Sequence, residues 1–284
     1  KKIEIDKNGN VETYRFVLST PDHRHLGIIN NIDTSSINVN PKLNDADEIS
    51  FTVSRFVDVD GENVECSIWD DINPLKYVYC VELDEYFVID VDENDSKTKP
   101  LKNITGTDAG AIELSNSNIY GTEINTESDI DRTDYVVTKF YVPGNPKASL
   151  LNRVLSRNPE WNVGHVDNSL RDMQRQFSID GTSVYDFLTG DCSKEFNCLF
   201  LFDTVNRLIN AYDLSDVCQD CGHRAKIFNN KICPKCGSHN VTYFGDGKNN
   251  LSLATALDSK QNYKQVLYYF GGPTKELQYD SMFE

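Results

Sequence analysis

The residues whose spacing alone dictates chemistry are four cysteines in two pairs. Cys218 and Cys221 stand in CQDCG, Cys233 and Cys236 in CPKCG, with eleven residues between the pairs. Two thiolates three positions apart sit on one tight turn and converge on one point. Two such turns face each other with four sulfurs at tetrahedral geometry, the arrangement of a structural zinc site. Gly222 and Gly237 follow the pairs and let the backbone turn its amides toward the sulfurs. Two disulfides, an iron–sulfur centre or a redox pair are the competing readings of the same spacing. One structural Zn2+ on Cys218, Cys221, Cys233 and Cys236 is the expectation. Catalytic zinc keeps an open position, and four thiolates leave none. His223 and His239 flank the site as alternative ligands, but each follows its cysteine too closely or stands outside the knuckle. Residues 218–240 hold few large apolar side chains (Ile227, Phe228, Ile232). The metal is therefore expected to supply their folding energy.

Other chemistry-bearing groups are weaker. Cys66, Cys80, Cys192 and Cys198 lie in apolar, strand-like surroundings and read as buried thiols in a reducing compartment. Asp58-x-Asp60, Asp90-x-Asp92-x-Asn94 and Asp129-x-Asp131 look like acidic turns, but none has the glycine and distal glutamate of a calcium loop. His23-Arg24-His25 is a small cluster before a Leu-Gly turn, and His165 has Asp167 within reach as a structural partner. No nucleophile elbow, phosphate loop or dinucleotide fingerprint is present. No catalytic residue and no organic cofactor site is expected.

Charge narrows the partners. The formal net charge of −16 opposes binding to a phosphate backbone, which needs a basic surface. Arg224, Lys226, Lys231 and Lys235 form a modest basic patch in the ribbon and read as a solvated face. Lys1-Lys2 leads into a strand rather than an apolar run, and nothing approaches the roughly 18 apolar residues of a membrane span. Folding in a cytosol is expected. The chain opens without Met, so a longer product is expected as well.

The elements that must position these groups are mostly strands. Ile49, Phe51 and Val53 alternate with polar residues, the pattern of a half-buried strand. Val11–Leu18, Tyr77–Leu83 and Tyr86–Ile89 read the same way, the last two as a hairpin around Asp84-Glu85. Asp60-Gly61 marks another turn. Weak strands are expected near Ile104, Ala111–Leu114 and Ile119–Ile124. Phe140–Val142 and Gln176–Ile179 are short strands. Asn145-Pro146 starts a helix with Leu150, Leu151, Val154 and Leu155 on one face, ended by Asn158-Pro159. Ser183 and Asp186 begin a second helix, with Val184, Phe187, Leu188, Cys192 and Phe196 as its buried stripe. Cys198–Phe202 and Leu208–Tyr212 form a hairpin, the cysteine segment follows it as an insertion, and Lys264–Phe270 is a last strand. The fold class is mainly β with a few helices (α+β): small β-barrel domains plus a zinc-ribbon insertion. The expected divisions are 1–134, 135–217, 218–240 and 241–284. Because the barrels have cores of their own, losing the metal is expected to unfold the ribbon alone.

Particular strings carry a resemblance. Leu26-Gly27-Ile28-Ile29-Asn30-Asn31-Ile32-Asp33 and Val39-Asn40-Pro41-Lys42-Leu43-Asn44-Asp45-Ala46-Asp47-Glu48-Ile49-Ser50-Phe51-Thr52-Val53 resemble the opening of minor structural tail proteins of phages and prophages of Gram-positive bacteria. Phe177-Ser178-Ile179-Asp180-Gly181-Thr182-Ser183-Val184-Tyr185-Asp186-Phe187-Leu188 and the cysteine segment 218–238 resemble later parts of the same family, in this order. The family is similar to baseplate hubs and to the N-terminal region of tail-associated lysins. The resemblance implies tail-tube-like barrels and a homotrimeric ring capping the tube. It implies contacts with the tail tube or distal tail protein and with the tape-measure protein or a fibre or spike. It places the protein in the virion tail, assembled in the bacterial cytoplasm, with no membrane and no sequence-specific nucleic acid as partner. The alternatives are a tail-associated peptidoglycan hydrolase whose catalytic region lies outside this chain, and a zinc-dependent nucleic-acid binder, which the acidic charge opposes.

Overall fold

The structure, a computed structural model, describes residues 14–40, 42, 45–94, 99–125, 138–225 and 232–242. The chain divides between Ile112 and Glu113 into two compact units.

The first unit is built on β1 (Phe16–Ser19), β2 (His25–Ile28), β3 (Ile32–Asn40), β4 (Glu48–Ser54), β5 (Phe56–Val59), β6 (Glu62–Glu65), β7 (Tyr77–Cys80), β8 (Glu85–Asn94) and β9 (Leu101–Asp108). Seven of these make one antiparallel sheet in the order β2-β1-β7-β8-β9-β4-β3. The expected alternation in β4 holds: Ile49, Phe51 and Val53 are buried, and the residues between them are not. Phe16 of β1 stacks on Phe51 with ring centroids 4.3 Å apart. Leu18, Phe87, Ile89 and Ile104 complete that core, and each such side chain removed from water contributes about 1.5–3 kcal/mol. The expected closed barrel is not among these pairings, because β2 and β3 stand at opposite ends of the order.

Lys102, 3% exposed, runs into this core. Its Nζ donates to the Trp69 and Ile72 carbonyls at 2.8 and 2.9 Å and lies 4.6 Å from the Trp69 ring centroid. It thereby fixes the short helical turn Trp69–Asp71. β5 and β6 form a separate two-stranded hairpin. Asp60 and Gly61 take φ of 54° and 88°, the paired positive values of a type I′ turn, and only glycine accepts the second without strain. The Gly61 amide donates to Asp58 Oδ1 at 2.8 Å. Asp58 and Asp60 therefore serve the turn.

The second unit takes up α1 (Ala109–Ser115) from Glu113 onward. It continues through β10 (Asn118–Tyr120), α2 (Gly121–Ile124), α3 (Leu150–Val154), β11 (Asn162–Val166), α4 (Asn168–Arg171), β12 (Asp180–Ser183), α5 (Val184–Phe187), α6 (Ser193–Phe196), β13 (Cys198–Asp203), β14 (Leu208–Asp213), β15 (Asp216–Cys218), β16 (Arg224–Ala225) and β17 (Val241–Thr242). The hairpin β13–β14 forms as expected, and β11 joins it in parallel. The second helix also forms. The Ser183 hydroxyl accepts the Asp186 amide at 3.0 Å, and Val184, Phe187, Leu188, Cys192 and Phe196 are all buried. A π-helical turn, Leu188–Cys192, separates α5 from α6. Phe140, Phe177, Phe187 and Phe196 lock the core edge to face, with Phe140–Phe196 at 4.6 Å and Phe177–Phe187 at 4.8 Å.

Four expected strands differ. Ala111–Leu114 is helical: AGAIEL is rich in helix formers, and Asp108 Oδ1 accepts the Ala111 amide at 3.0 Å as a cap. Ile119–Ile124 is split between β10 and α2. Phe140–Val142 is buried at Phe140 but joins no ladder, because its amides reach irregular backbone: Phe140 N to Met173 O at 2.7 Å and Tyr141 N to Arg171 O at 3.2 Å. Gln176–Ile179 is not a strand either. The Asn125 side chain takes both the amide and the carbonyl of Phe177, each at 2.8 Å, and the strand begins later, at Asp180. Asp90-x-Asp92-x-Asn94 runs along β8 rather than forming a turn. Asp129-x-Asp131, residues 11–13 and Lys264–Phe270 lie outside the described residues. Among the described residues no helix is long and apolar enough to cross a membrane.

Candidate metal centre

β15 follows directly on the β13–β14 hairpin and ends on Cys218. It is the middle strand of a three-stranded sheet, pairing Val217 with Arg224 of β16 and Cys218 with Val241 of β17. The two cysteine turns are near copies. After the first pair the Gly222 amide donates to the Cys218 carbonyl at 2.8 Å; after the second, the Gly237 amide donates to the Cys233 carbonyl at 2.8 Å. Both glycines have positive φ, 69° and 72°, which is the conformation expected of them.

The four sulfurs come together. Cys218 Sγ and Cys236 Sγ are 3.6 Å apart, as are Cys221 Sγ and Cys233 Sγ, and all four lie within 4.8 Å of one another. Sulfurs placed tetrahedrally about 2.3 Å from a zinc ion are about 3.8 Å apart, so this donor set fits a four-coordinate thiophilic ion. Backbone amides of His223, Lys235, Cys236 and Ser238 point at the sulfurs. Burial pushes the Cys233 thiol up, but the amides of Cys236 and Lys235 and the neighbouring sulfurs outweigh it and bring it down to about 7. The Ser238 amide pulls the Cys236 thiol down, but the sulfurs around it push that thiol up to about 12, so the cluster titrates as one shared site. Asp220 braces the two turns, accepting from Asn240 Nδ2 at 2.8 Å and from the Ser238 hydroxyl. His223 and His239 enter through their carbonyls, which accept the Cys218 and Val241 amides at 2.9 and 3.0 Å; neither imidazole belongs to the cluster. Lys226, Ile227, Phe228 and Lys231 lie outside the described residues. The apolar support inside the segment is Cys218, Cys233 and Val241, with Cys221 packed against them.

The other expected groups have structural surroundings. Cys66, Cys80, Cys192 and Cys198 are buried free thiols, and burial pushes Cys80 up to about 12. His23 stacks on Tyr86 at 3.9 Å, and His25 Nε2 lies 3.2 Å from the Tyr86 hydroxyl. His165 Nε2 pairs with Asp167 Oδ1 at 2.8 Å, and its ring stacks on Tyr212 at 5.0 Å.

Three groupings escaped the sequence reading. Asp47, Glu85 and Asp108 are buried with carboxylate oxygens within 4.8 Å of one another. Like charges this close repel unless a proton or cation is shared. Glu113 accepts from Arg207 Nε and Nη2 at 2.9 and 3.0 Å and from Trp161 Nε1 at 2.7 Å. Arg224, read as part of a solvated patch, forks onto Asp213 instead. The first two groupings join elements far apart in the chain, Arg224 and Asp213 stand eleven residues apart, and no local spacing announces any of them.

No protein-family model and no curated protein matches the sequence. Two tail proteins are among the solved structures similar to this chain. The prophage tail protein gp18 from Listeria monocytogenes EGD-e aligns at TM-score 0.47 and 12% identity, over 70% of this chain and 50% of that one. The tail protein from Neisseria meningitidis MC58 aligns at TM-score 0.44 and 9% identity, over 73% and 52%. The chain spans about half the length of each.

Proposed function

We propose that this chain is a structural component of a phage or prophage tail. It is a hub that assembles as a homotrimer and contacts the tail tube or distal tail protein on one side and the tape-measure protein or a fibre on the other. The observation that carries this reading is the first unit, a surface made for assembly. Among the described residues β2 and β3 each take a strand neighbour on one side only, and such edges are templates for pairing with another chain. The β5–β6 hairpin exposes Phe56, Val59 and Val64 by 43–50%, more apolar surface than an isolated two-stranded ribbon supports by itself. The order of the tail-protein-like strings along the sequence points the same way. Closure into barrels is completed between copies in this reading. The four cysteines hold one Zn2+ that braces a segment short of apolar core. The role is structural rather than catalytic, in the virion tail after assembly in the host cytoplasm.

Light scattering of the purified chain with mass resolution, joined to electron micrographs, tests this. A trimer with ring-shaped particles is the expected result. A strict monomer with no ring at high protein concentration would overturn the reading.

A further inference from the structure

One long side chain, that of Arg224, joins the cysteine segment to the body of the second unit. Arg224 sits on β16, opposite Val217 of the strand that ends on Cys218. Its guanidinium leaves the segment and forks onto Asp213 at the end of β14: Nε to Oδ2 at 2.9 Å and Nη2 to Oδ1 at 2.5 Å. Nη2 also donates to the Phe196 carbonyl at 3.2 Å and to Ser215 Oγ at 3.1 Å. The pair is nearly dry, with side chains 16% and 5% exposed. Asp213 continues the chain of contacts. Its Oδ2 accepts the Ser169 hydroxyl at 2.5 Å, and its amide donates to Asp167 Oδ2 at 2.7 Å. Asp167 Oδ1 in turn holds His165 Nε2.

With the four cysteines read as a metal site, we infer that Arg224 is a positioning residue for it. Through Arg224, metal loading is coupled to the packing of the second unit as far as His165. Among the described residues, β16 is held by two strand pairs to β15, by the Cys218 amide donating to the His223 carbonyl beside it, and by the fork of Arg224 itself. When the metal leaves, the cysteine turns no longer brace β16 from their side, and the fork of Arg224 on Asp213 loses the support that orders it. Removing one partner of such a pair is strongly unfavourable. The ordering of Arg224 by the core must favour the metal-bound arrangement by the same factor that the metal favours the ordered core, because coupling is reciprocal. This coupling and the expectation that the ribbon unfolds alone make opposite predictions for His165.

The experiment is a cobalt(II) titration of the full chain, followed by thiolate-to-cobalt absorption, for wild type, Arg224→Met and Arg224→Lys. All three keep the four sulfurs and are expected to show the band. Apparent affinity should fall about tenfold in Arg224→Met, within the roughly 5- to 150-fold span of coupled sites. It should recover in part in Arg224→Lys, which keeps the charge but not the fork. Chelating the metal from wild type should shift the ring resonances of His165, assigned by their loss in His165→Gln, and should leave them unmoved in Arg224→Met. Should Arg224→Met fail to fold, Asp213→Asn, which preserves shape, is titrated in its place with the same expectation. Wild-type affinity in the variant, with His165 indifferent to metal, would overturn the coupling alone. No cobalt band in wild type would overturn the metal reading beneath it.

Discussion

At the scale of single residues, local spacing revealed the converging cysteines, while buried ion pairs and pinned charges stayed hidden. Cys218, Cys221, Cys233 and Cys236 were legible because a C-x-x-C turn converges on its own. Lys102 was not: in LKNITGTD it reads as a polar strand residue, yet its Nζ closes on two carbonyls 30 and 33 residues away and on the Trp69 ring. Replacing it by methionine keeps the volume and withdraws the ammonium from both carbonyls; the Trp69 carbonyl still accepts the Ile72 amide at 3.3 Å, but the Ile72 carbonyl loses the ammonium, and leaving a buried acceptor unmet costs about 1–3 kcal/mol. Lys102→Met is therefore expected to lower stability by about 2 kcal/mol in urea unfolding. A loss under about 0.5 kcal/mol, the range of ordinary surface changes, would show that the ammonium contributes little there.

At the scale of elements, periodicity was a good guide wherever one face is dry. β4 alternates as written, and the Val184–Phe196 stripe is buried along its length. The π turn at Leu188–Cys192 left no mark on that stripe. Strands failed where side chains displaced ladder partners: Asn125 occupies both hydrogen bonds of Phe177 that a neighbouring strand would take. The β5–β6 hairpin is the element with a consequence for assembly. Val57 and Val64 face each other across it and share a face with Val59 and Glu62. Replacing Val59 and Val64 together by lysine should change the melting temperature of the isolated chain little, since both side chains are already about half exposed and a lysine head can reach water from either position. The same change should shift light scattering toward monomer. Unaltered assembly would remove the hairpin from the interface.

At the scale of the whole molecule, composition and patterning yielded a mainly β chain with a few helices, and that is what is found. The division at Ile112–Glu113 and the order β2-β1-β7-β8-β9-β4-β3 were beyond sequence reasoning. They depend on pairings such as β1 with β7, residues 16–19 against 77–80, which no short-range pattern encodes. The buried cysteines also give the molecule an internal tally. Cys66, Cys80, Cys192 and Cys198 are sealed in the folded cores, whereas Cys221 and Cys236 reach solvent. A chromogenic thiol reagent should therefore find almost no reactive sulfhydryl in the metal-loaded chain. After chelation it should find up to the four of the metal cluster, and in denaturant all 8 cysteines of the chain. Fast reaction of all of them in the folded, loaded chain would contradict both the metal and the cores. The sulfhydryl count thus serves as a built-in gauge of occupancy, needing no label and no partner to read it.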